Sequence, residues 1–247
     1  MPQIKHHFQR FEIKYQIPSN MVEKLIPEFL KYMNPDPFAK NLPNSFYTVA
    51  SLYYDSVGFG AYYQKLAGVK TRKKIRLRFY PSDNNYDINS ISKFFLEIKR
   101  KNNMVIIKDR LDLNYFTCYN LLRKNQLPKQ ISEKNDQAVL DEFMWLKNYN
   151  NLNPKVLVVY DRKPFISKVD PNFRVTLDYN IRACKTDWID KNPRLEQISP
   201  GTTILEVKFN NILPAWFHFI IQKCNLEYQP FSKYCTSLEK CYPHLTN

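Results

Sequence analysis

Charged side chains recur at every second position in six separate segments of this chain. They are Arg10-Phe11-Glu12-Ile13-Lys14, Lys74-Ile75-Arg76-Leu77-Arg78, Glu97-Ile98-Lys99-Arg100-Lys101, Lys108-Asp109-Arg110, Arg174-Val175-Thr176-Leu177-Asp178 and Glu206-Val207-Lys208. A seventh, Val156 to Arg162, ends the same way in Tyr160-Asp161-Arg162. A β-strand sends alternate side chains to opposite faces, so each segment has one charged face and one apolar face. One such strand is ordinary. Seven imply a sheet whose charged faces gather on a common surface.

The total charge says what kind of partner that surface meets. The 247 residues carry a formal charge of +14, which implies an anion: nucleic acid, an anionic membrane or a phosphate-rich ligand. With 44% hydrophobic and 15% aromatic residues the composition is globular. The only glycines are Gly58, Gly60, Gly68 and Gly201, from which no G-x-G-x-x-G or G-x-x-x-x-G-K-[ST] loop can be built. Any phosphate must then be held by side chains and not by a glycine-rich backbone cradle.

Five scattered cysteines without a C-x-x-C read as reduced thiols of a cytoplasmic protein, with no zinc site expected. The N-terminus lacks an apolar signal core. The longest apolar stretch, Leu213 to Ile221, is interrupted by Pro214 and His218 and falls short of the ~20 residues that span a bilayer. A soluble chain is expected.

Periodicity and turn residues predict strands at about 8–16, 46–54, 70–80, 94–101, 104–113, 155–162, 165–169, 173–182 and 203–209. Helices are predicted from Ser19 to about Met33, with Pro27 kinking or shortening the first, and at 58–67, 114–126, 132–149, 213–225 and 231–241. Residues 34–44 and 184–201 read as loops, and Ser132 as a helix cap. Asn102-Asn103 suits a two-residue hairpin turn, which would set Glu97 across from Lys108. No repeat or linker divides the chain, so residues 1–247 are expected to form a single domain.

A solvated sheet face explains the alternation by itself. Three details favour an inward-facing one. The charged positions are rich in Arg; the carboxylates Glu12, Glu97 and Glu206 each stand next to a lysine on the same face; and the helices are already charged enough for solubility. The fold class expected is therefore α+β, an antiparallel β-barrel or tunnel with a charged lumen and helices packed outside. Inward cations would be Lys14, Arg76, Arg78, Lys99, Lys101, Lys108, Arg110, Arg162, Arg174 and Lys208. Like charges 4 Å apart repel by roughly 4 kcal/mol at an effective dielectric of 20, so such a lumen needs a multivalent anion. Arginine forks match phosphate, and a phosphate chain fits a bore that a nucleic-acid duplex does not. Nucleic acid is not the expected ligand.

The segments already quoted resemble, in order, the VTC domain of polyphosphate polymerases. Ser51-Leu52-Tyr53-Tyr54-Asp55, Phe95-Leu96-Glu97 and Phe231-Ser232-Lys233-Tyr234 extend the resemblance, which runs from residue 10 to 239. That domain belongs to the triphosphate tunnel metalloenzyme superfamily, which is CYTH-like. The resemblance implies an ATP-dependent polymerase that passes the terminal phosphoryl group of ATP to a growing polyphosphate chain with Mn2+ or Mg2+. It implies catalytic roles for Lys14, Arg76, Arg78, Lys99, Lys108, Arg162, Arg174 and Lys233, and substrate contacts by Lys101, Arg110, Tyr160, Lys208 and Ser232. Glu206 is the implied metal ligand, its alternative being an ion-pair partner of Lys208. Glu12 and Glu97 are expected as ion-pair partners, and Asp178 is open between supporting the metal and orienting an arginine.

One departure stands out. Hydrolytic members of the superfamily carry Glu-x-Glu-x-Lys near the N-terminus, whereas this chain has Arg10-Phe11-Glu12-Ile13-Lys14. The alternatives are a non-catalytic polyphosphate or inositol-phosphate binder, or a tunnel triphosphatase. The histidines His6, His7, His218 and His244 form no catalytic motif, Tyr53, Tyr54, Tyr62 and Tyr63 read as core, and no adenine-binding motif is evident. The resemblance also implies a membrane-protein partner, and hence a cytoplasmic location at the inner face of a membrane.

Overall fold

The computed structural model describes residues 11–82, 85–87, 90–103, 105–128, 134–210 and 212–246. Arg10, His6, His7 and the expected cap Ser132 lie outside the described residues.

The chain runs β1 (Phe11–Pro18), α1 (Val22–Tyr32), β2 (Met33–Pro35), α2 (Pro37–Lys40), β3 (Tyr47–Asp55), α3 (Gly60–Leu66), β4 (Thr71–Phe79), β5 (Phe94–Asn102) and β6 (Val105–Leu113). It continues through α4 (Tyr115–Arg123), α5 (Lys134–Tyr149), β7 (Asn153–Ser167), β8 (Arg174–Lys185), β9 (Glu196–Gln197), β10 (Thr202–Phe209), α6 (Ala215–Lys223) and α7 (Lys233–Cys241). The strands form one antiparallel sheet in the order β1-β10-β8-β7-β3-β4-β5-β6, with β2 added to β7 and β9 to β8.

The apolar face of each alternating strand turns outward under helices. On one half, Leu52, Leu77, Leu96, Ile98 and Leu157 pack under α4 and α5 through Leu121, Leu140 and Phe143. On the other, Tyr15, Val175, Leu177, Leu205 and Val207 pack under α1 and α6 through Leu25, Phe29 and Phe217. At one end the opposite, inner face is apolar and covered by α7. There Val49, Tyr53, Val158, Ile181 and Ile204 meet Tyr234, Cys235 and Leu238 of α7. The buried Asp55 fixes this arrangement: its carboxylate accepts from the backbone N–H groups of Ala61 and Tyr62 at the start of α3 and from the Tyr234 hydroxyl.

Among the described residues no backbone ladder joins β1 to β6, so the sheet curls without closing. The seam is partly filled by the segment leading into α7. Tyr228 bridges Tyr15 of β1, and the Gln229 N–H donates to the Lys14 carbonyl at 3.2 Å.

The structure corrects three local expectations. Asn102 is still in β5, paired with Val105, and Asn103 turns with φ of 53°. Glu97 therefore faces Arg110, while Lys108 faces Lys99. The shift is two residues, so every side chain keeps its face, because strand side chains alternate with period two. Second, β7 runs unbroken through Pro164 where two strands were expected. The Pro164 carbonyl accepts from Asp36 N–H on the side where β7 changes partner from β3 to β2, so the missing proline N–H falls between two ladders. Third, the loop expected at 34–44 contains β2 and the short α2, capped by the Asp36 carboxylate. Pro27 does not end α1, which continues to Tyr32. No helix among the described residues is long and apolar enough to cross a membrane.

Candidate functional site

Strand register builds the inner face as rows of opposed charges. Arg76 pairs with Glu97 and Glu97 with Arg110 across β4, β5 and β6. Lys14 pairs with Glu206, Glu12 with Lys208, and Arg162 with Asp178. Few carboxylates anchor these rows, and each is shared by more than one cation.

Glu97 is the clearest case. It is fully buried, and it accepts from Arg76 (Nε–Oε2 2.8 Å), from Arg110 (Nη2–Oε1 2.6 Å) and from Lys108 at 3.4 Å, with Arg78 Nε 3.8 Å away. Burial by itself would raise the Glu97 carboxyl, but Arg76, Arg78 and Lys108 reverse this and hold it well below the carboxylate range. Burial, together with Arg110, Arg78 and Arg76, brings the Lys108 ammonium down to about 8 despite Glu97. One negative charge thus sits beneath four positive ones.

Asp178 is the second anchor, likewise fully buried. It takes Arg162 in a bidentate pair of 2.6 and 2.7 Å and the Lys233 ammonium at 2.6 Å. The bidentate pair holds the Arg162 guanidinium in a fixed orientation. Both cations lie against the Tyr160 ring, Lys233 at 4.6 Å and Arg162 at 5.2 Å. Lys233 begins α7, whose N-cap Ser232 accepts from the Cys235 N–H, so the same turn sets the lysine and the serine.

Glu12 and Glu206 complete the inner wall. Lys14 lies between them, 3.2 Å from Glu12 and 3.6 Å from Glu206; Lys208 also pairs with Glu206, and Lys99 with Glu12 at 3.0 Å. Burial opposes ionisation of Glu206, yet Lys208, Lys14 and Arg162 hold its carboxyl well below the ordinary range.

Sequence reasoning passed over two residues here. Lys74 stands on the same face as Arg76 and Arg78; its ammonium donates to Ser232 at 3.1 Å and lies 5.1 Å from the Tyr234 ring centroid. Burial, then Lys14 and Lys99, lower it to about 8 despite Cys235 and Tyr53. Tyr53 was read as core, and its hydroxyl accepts from Arg76 at 3.0 Å. Burial would raise that phenol, but Arg76, Arg78 and Lys74 bring it down to about 8. The alternation held the signal for both, since Lys74 shares parity with Arg76 and Arg78 on its own strand and Tyr53 faces Arg76 on the next. Lys101 and Arg174 stand apart from the cluster. Lys101 lies near the hairpin end of β5 opposite Arg72, and Arg174 is exposed, turned to the Pro171 carbonyl and Asp36.

No group of three or more Asp, Glu, His or Cys that could hold a metal occurs among the described residues. The donors present are two carboxylates, Glu12 and Glu206, converging on one ammonium. That set suits a hard divalent cation which keeps water and phosphate oxygens among its ligands, rather than an all-protein cage.

An antiparallel sheet curled around a cation-lined bore with helices outside is the triphosphate tunnel fold. A solved Bacillus halodurans structure, named for adenylate cyclase, superposes with a TM-score of 0.54 over 91% of this chain and 94% of that one, at 12% identity. A Hippeastrum protein named for adenylyl cyclase, with a dominant triphosphatase activity, gives 0.52 over 94% and 96%, at 14% identity. The VTC domain family matches residues 9–242, and the chain belongs to that family. Its relatives include subunit 4 of the Trypanosoma cruzi vacuolar transporter chaperone complex, 22% identical over 276 residues and matching 96% of this chain but 34% of that protein. The chain spans about a third of that relative's length.

Proposed function

We propose that this chain is a metal-dependent polyphosphate polymerase, using ATP as donor and a polyphosphate chain as acceptor. One observation carries the reading: in a member of the VTC family, the inner face holds Arg76, Arg78, Lys108 and Arg110 over the single buried Glu97. Such a cage is short of negative charge, and a chain of phosphates supplies it.

Phosphoryl transfer asks a protein mainly for alignment and charge neutralisation. Arg76, Arg78, Arg162 and Lys233 would grip phosphate oxygens, with Lys14, Lys99, Lys108, Arg110 and Lys208 around them and Ser232 donating a hydrogen bond. Glu206, with Glu12 beside it, would hold a divalent cation. Bound there, Mn2+ or Mg2+ would neutralise charge developing on the phosphate oxygens. In the reaction the bond between the γ-phosphorus and the β,γ-bridging oxygen breaks, and its electron pair leaves with ADP. A terminal oxygen of the acceptor chain forms the new bond to phosphorus. That oxygen is already anionic, so no base is needed. Glu12 and Glu206, each engaged by lysines, are poorly placed to take a proton from water, which favours phosphate over water as acceptor.

The reading treats residues 1–247 as one such domain, working beside a membrane-protein partner on the cytoplasmic side. Its motive is the complex named for the trypanosomal relative. Incubation with ATP and Mn2+ tests the activity: ADP plus a phosphate polymer is expected. ADP with free phosphate alone would make the protein a triphosphatase, and tripolyphosphate binding without ATP consumption would make it a sensor.

A further inference from the structure

One end of the bore is lined differently from the rest. Where the cation rows end, the next inward positions are aromatic: Tyr47 on β3, Tyr80 just after β4 and Phe95 on β5. Tyr47 and Tyr80 lie edge to face at 5.7 Å, and so do Tyr80 and Phe95 at 5.8 Å. Phe38, carried by α2, closes this array at 5.0 Å from Tyr47 and 6.0 Å from Tyr80, yet remains 62% exposed. Phe38 thus presents an exposed ring, held by two tyrosines, at the edge of a charged bore.

The array is continuous with the phosphate cage. The Arg110 guanidinium lies 4.3 Å from the Phe95 ring centroid while its nitrogens bind Glu97. Tyr47 faces Arg162 on the neighbouring strand, the arginine held by Asp178. A ligand with its phosphates between Arg110 and Arg162 would carry its other end to Phe38. The occupant that matches an anionic tail and a flat apolar head is a nucleoside triphosphate, and an inorganic phosphate chain leaves the aromatic lip empty.

We infer that Phe38, with Tyr47 and Tyr80 behind it, forms a stacking platform for the nucleobase of the donor nucleotide. Stacking reads ring area and not hydrogen-bonding pattern, so the platform favours purine over pyrimidine triphosphates without separating ATP from GTP. This gives the bore a polarity. The base marks the Phe38 end as the nucleotide entrance, and α7 occupies the other.

The inference rests on the nucleotide reading above, and its test keeps the two apart. Affinities of a nonhydrolysable ATP analogue and of tripolyphosphate are measured by titration calorimetry for the full chain, for Phe38→Ala and for Phe38→Trp. Stacking predicts that Phe38→Ala weakens the ATP analogue about tenfold and leaves tripolyphosphate unchanged, while Phe38→Trp restores the analogue. An unaltered ratio of the two affinities in Phe38→Ala overturns the platform and leaves the cage reading standing. Failure of the unmodified chain to bind either ligand overturns both.

Discussion

Asp178 engages Arg162 through both carboxylate oxygens, and the second of those oxygens also takes Lys233. The pair is buried, so neither cation has water to fall back on, and removing the carboxylate leaves two desolvated positive charges. Asp178→Asn keeps the shape and deletes the charge. Urea unfolding of the ligand-free protein is expected to show a loss of about 3 kcal/mol. Tripolyphosphate should then restore more stability to the variant than it adds to the parent chain, because the ligand supplies the missing charge. Equal stabilisation of both proteins would count against a cage built for anions.

Arg76 binds Glu97 and Tyr53 at once and is nearly buried. Arg76→Ala is expected to lower polymer formation on the order of a hundredfold, the scale seen when one donor to a developing anion is lost, with the circular dichroism spectrum unchanged. Arg174 offers the contrast. Its guanidinium is turned to Pro171 and Asp36, so Arg174→Ala should change the rate less than Arg162→Ala in the same assay.

Anion affinity should fall with rising pH. Lys74 and Lys108 both titrate at about 8 in the free protein, each lowered first by burial. A bound polyanion favours their charged forms and raises both pKa values. The associated binding free energy is fully present below pH 8 and lost as pH climbs above it, because the lysines must then take up protons to bind. Calorimetric titrations with tripolyphosphate between about pH 7 and pH 9.5 should show this weakening. In Lys108→Met the slope should be shallower, and an unchanged slope would remove Lys108 from the cause.

Glu206 separates metal use from phosphate grip. Glu206→Gln is expected to abolish transfer at any Mn2+ concentration. Tripolyphosphate binding measured in chelator should persist or tighten, since a negative charge has left the cage. Loss of metal-free binding in the variant would instead mark Glu206 as a prop for Lys14 and Lys208.

The alternation in the sequence conveyed the faces of the strands but not their neighbours. Lys74, Arg76 and Arg78 could be seen to share a face, because period two is a property of a single strand. That Glu97 pairs in register with Arg110 and not with Lys108 depends on where the hairpin turns, and Asn103 takes a positive φ there. Pro164 shows the same limit: a proline breaks a strand in a sequence reading unless it is known that the chain is changing partners there. Phe38 was invisible for another reason. Its isolated position in a proline-rich stretch gave no hint that the fold would set it beside Tyr47 and Tyr80. The VTC resemblance supplied the long-range order that periodicity lacks, and the family match agrees with it.

The seam between β1 and β6 gives the bore an unequal wall. Elsewhere its circumference is set by backbone hydrogen bonds, whose spacing between strands is fixed near 4.8 Å. At the seam the backbone of Tyr228 and Gln229 pairs with β1, and the wall is tied across by charged side chains such as Lys99 and Glu12. Side chains change length by rotating a bond and respond to salt, whereas a ladder does neither. The tunnel is thus a clasp with one adjustable side, and its gauge can follow the charge of what it holds without any strand letting go of its neighbour.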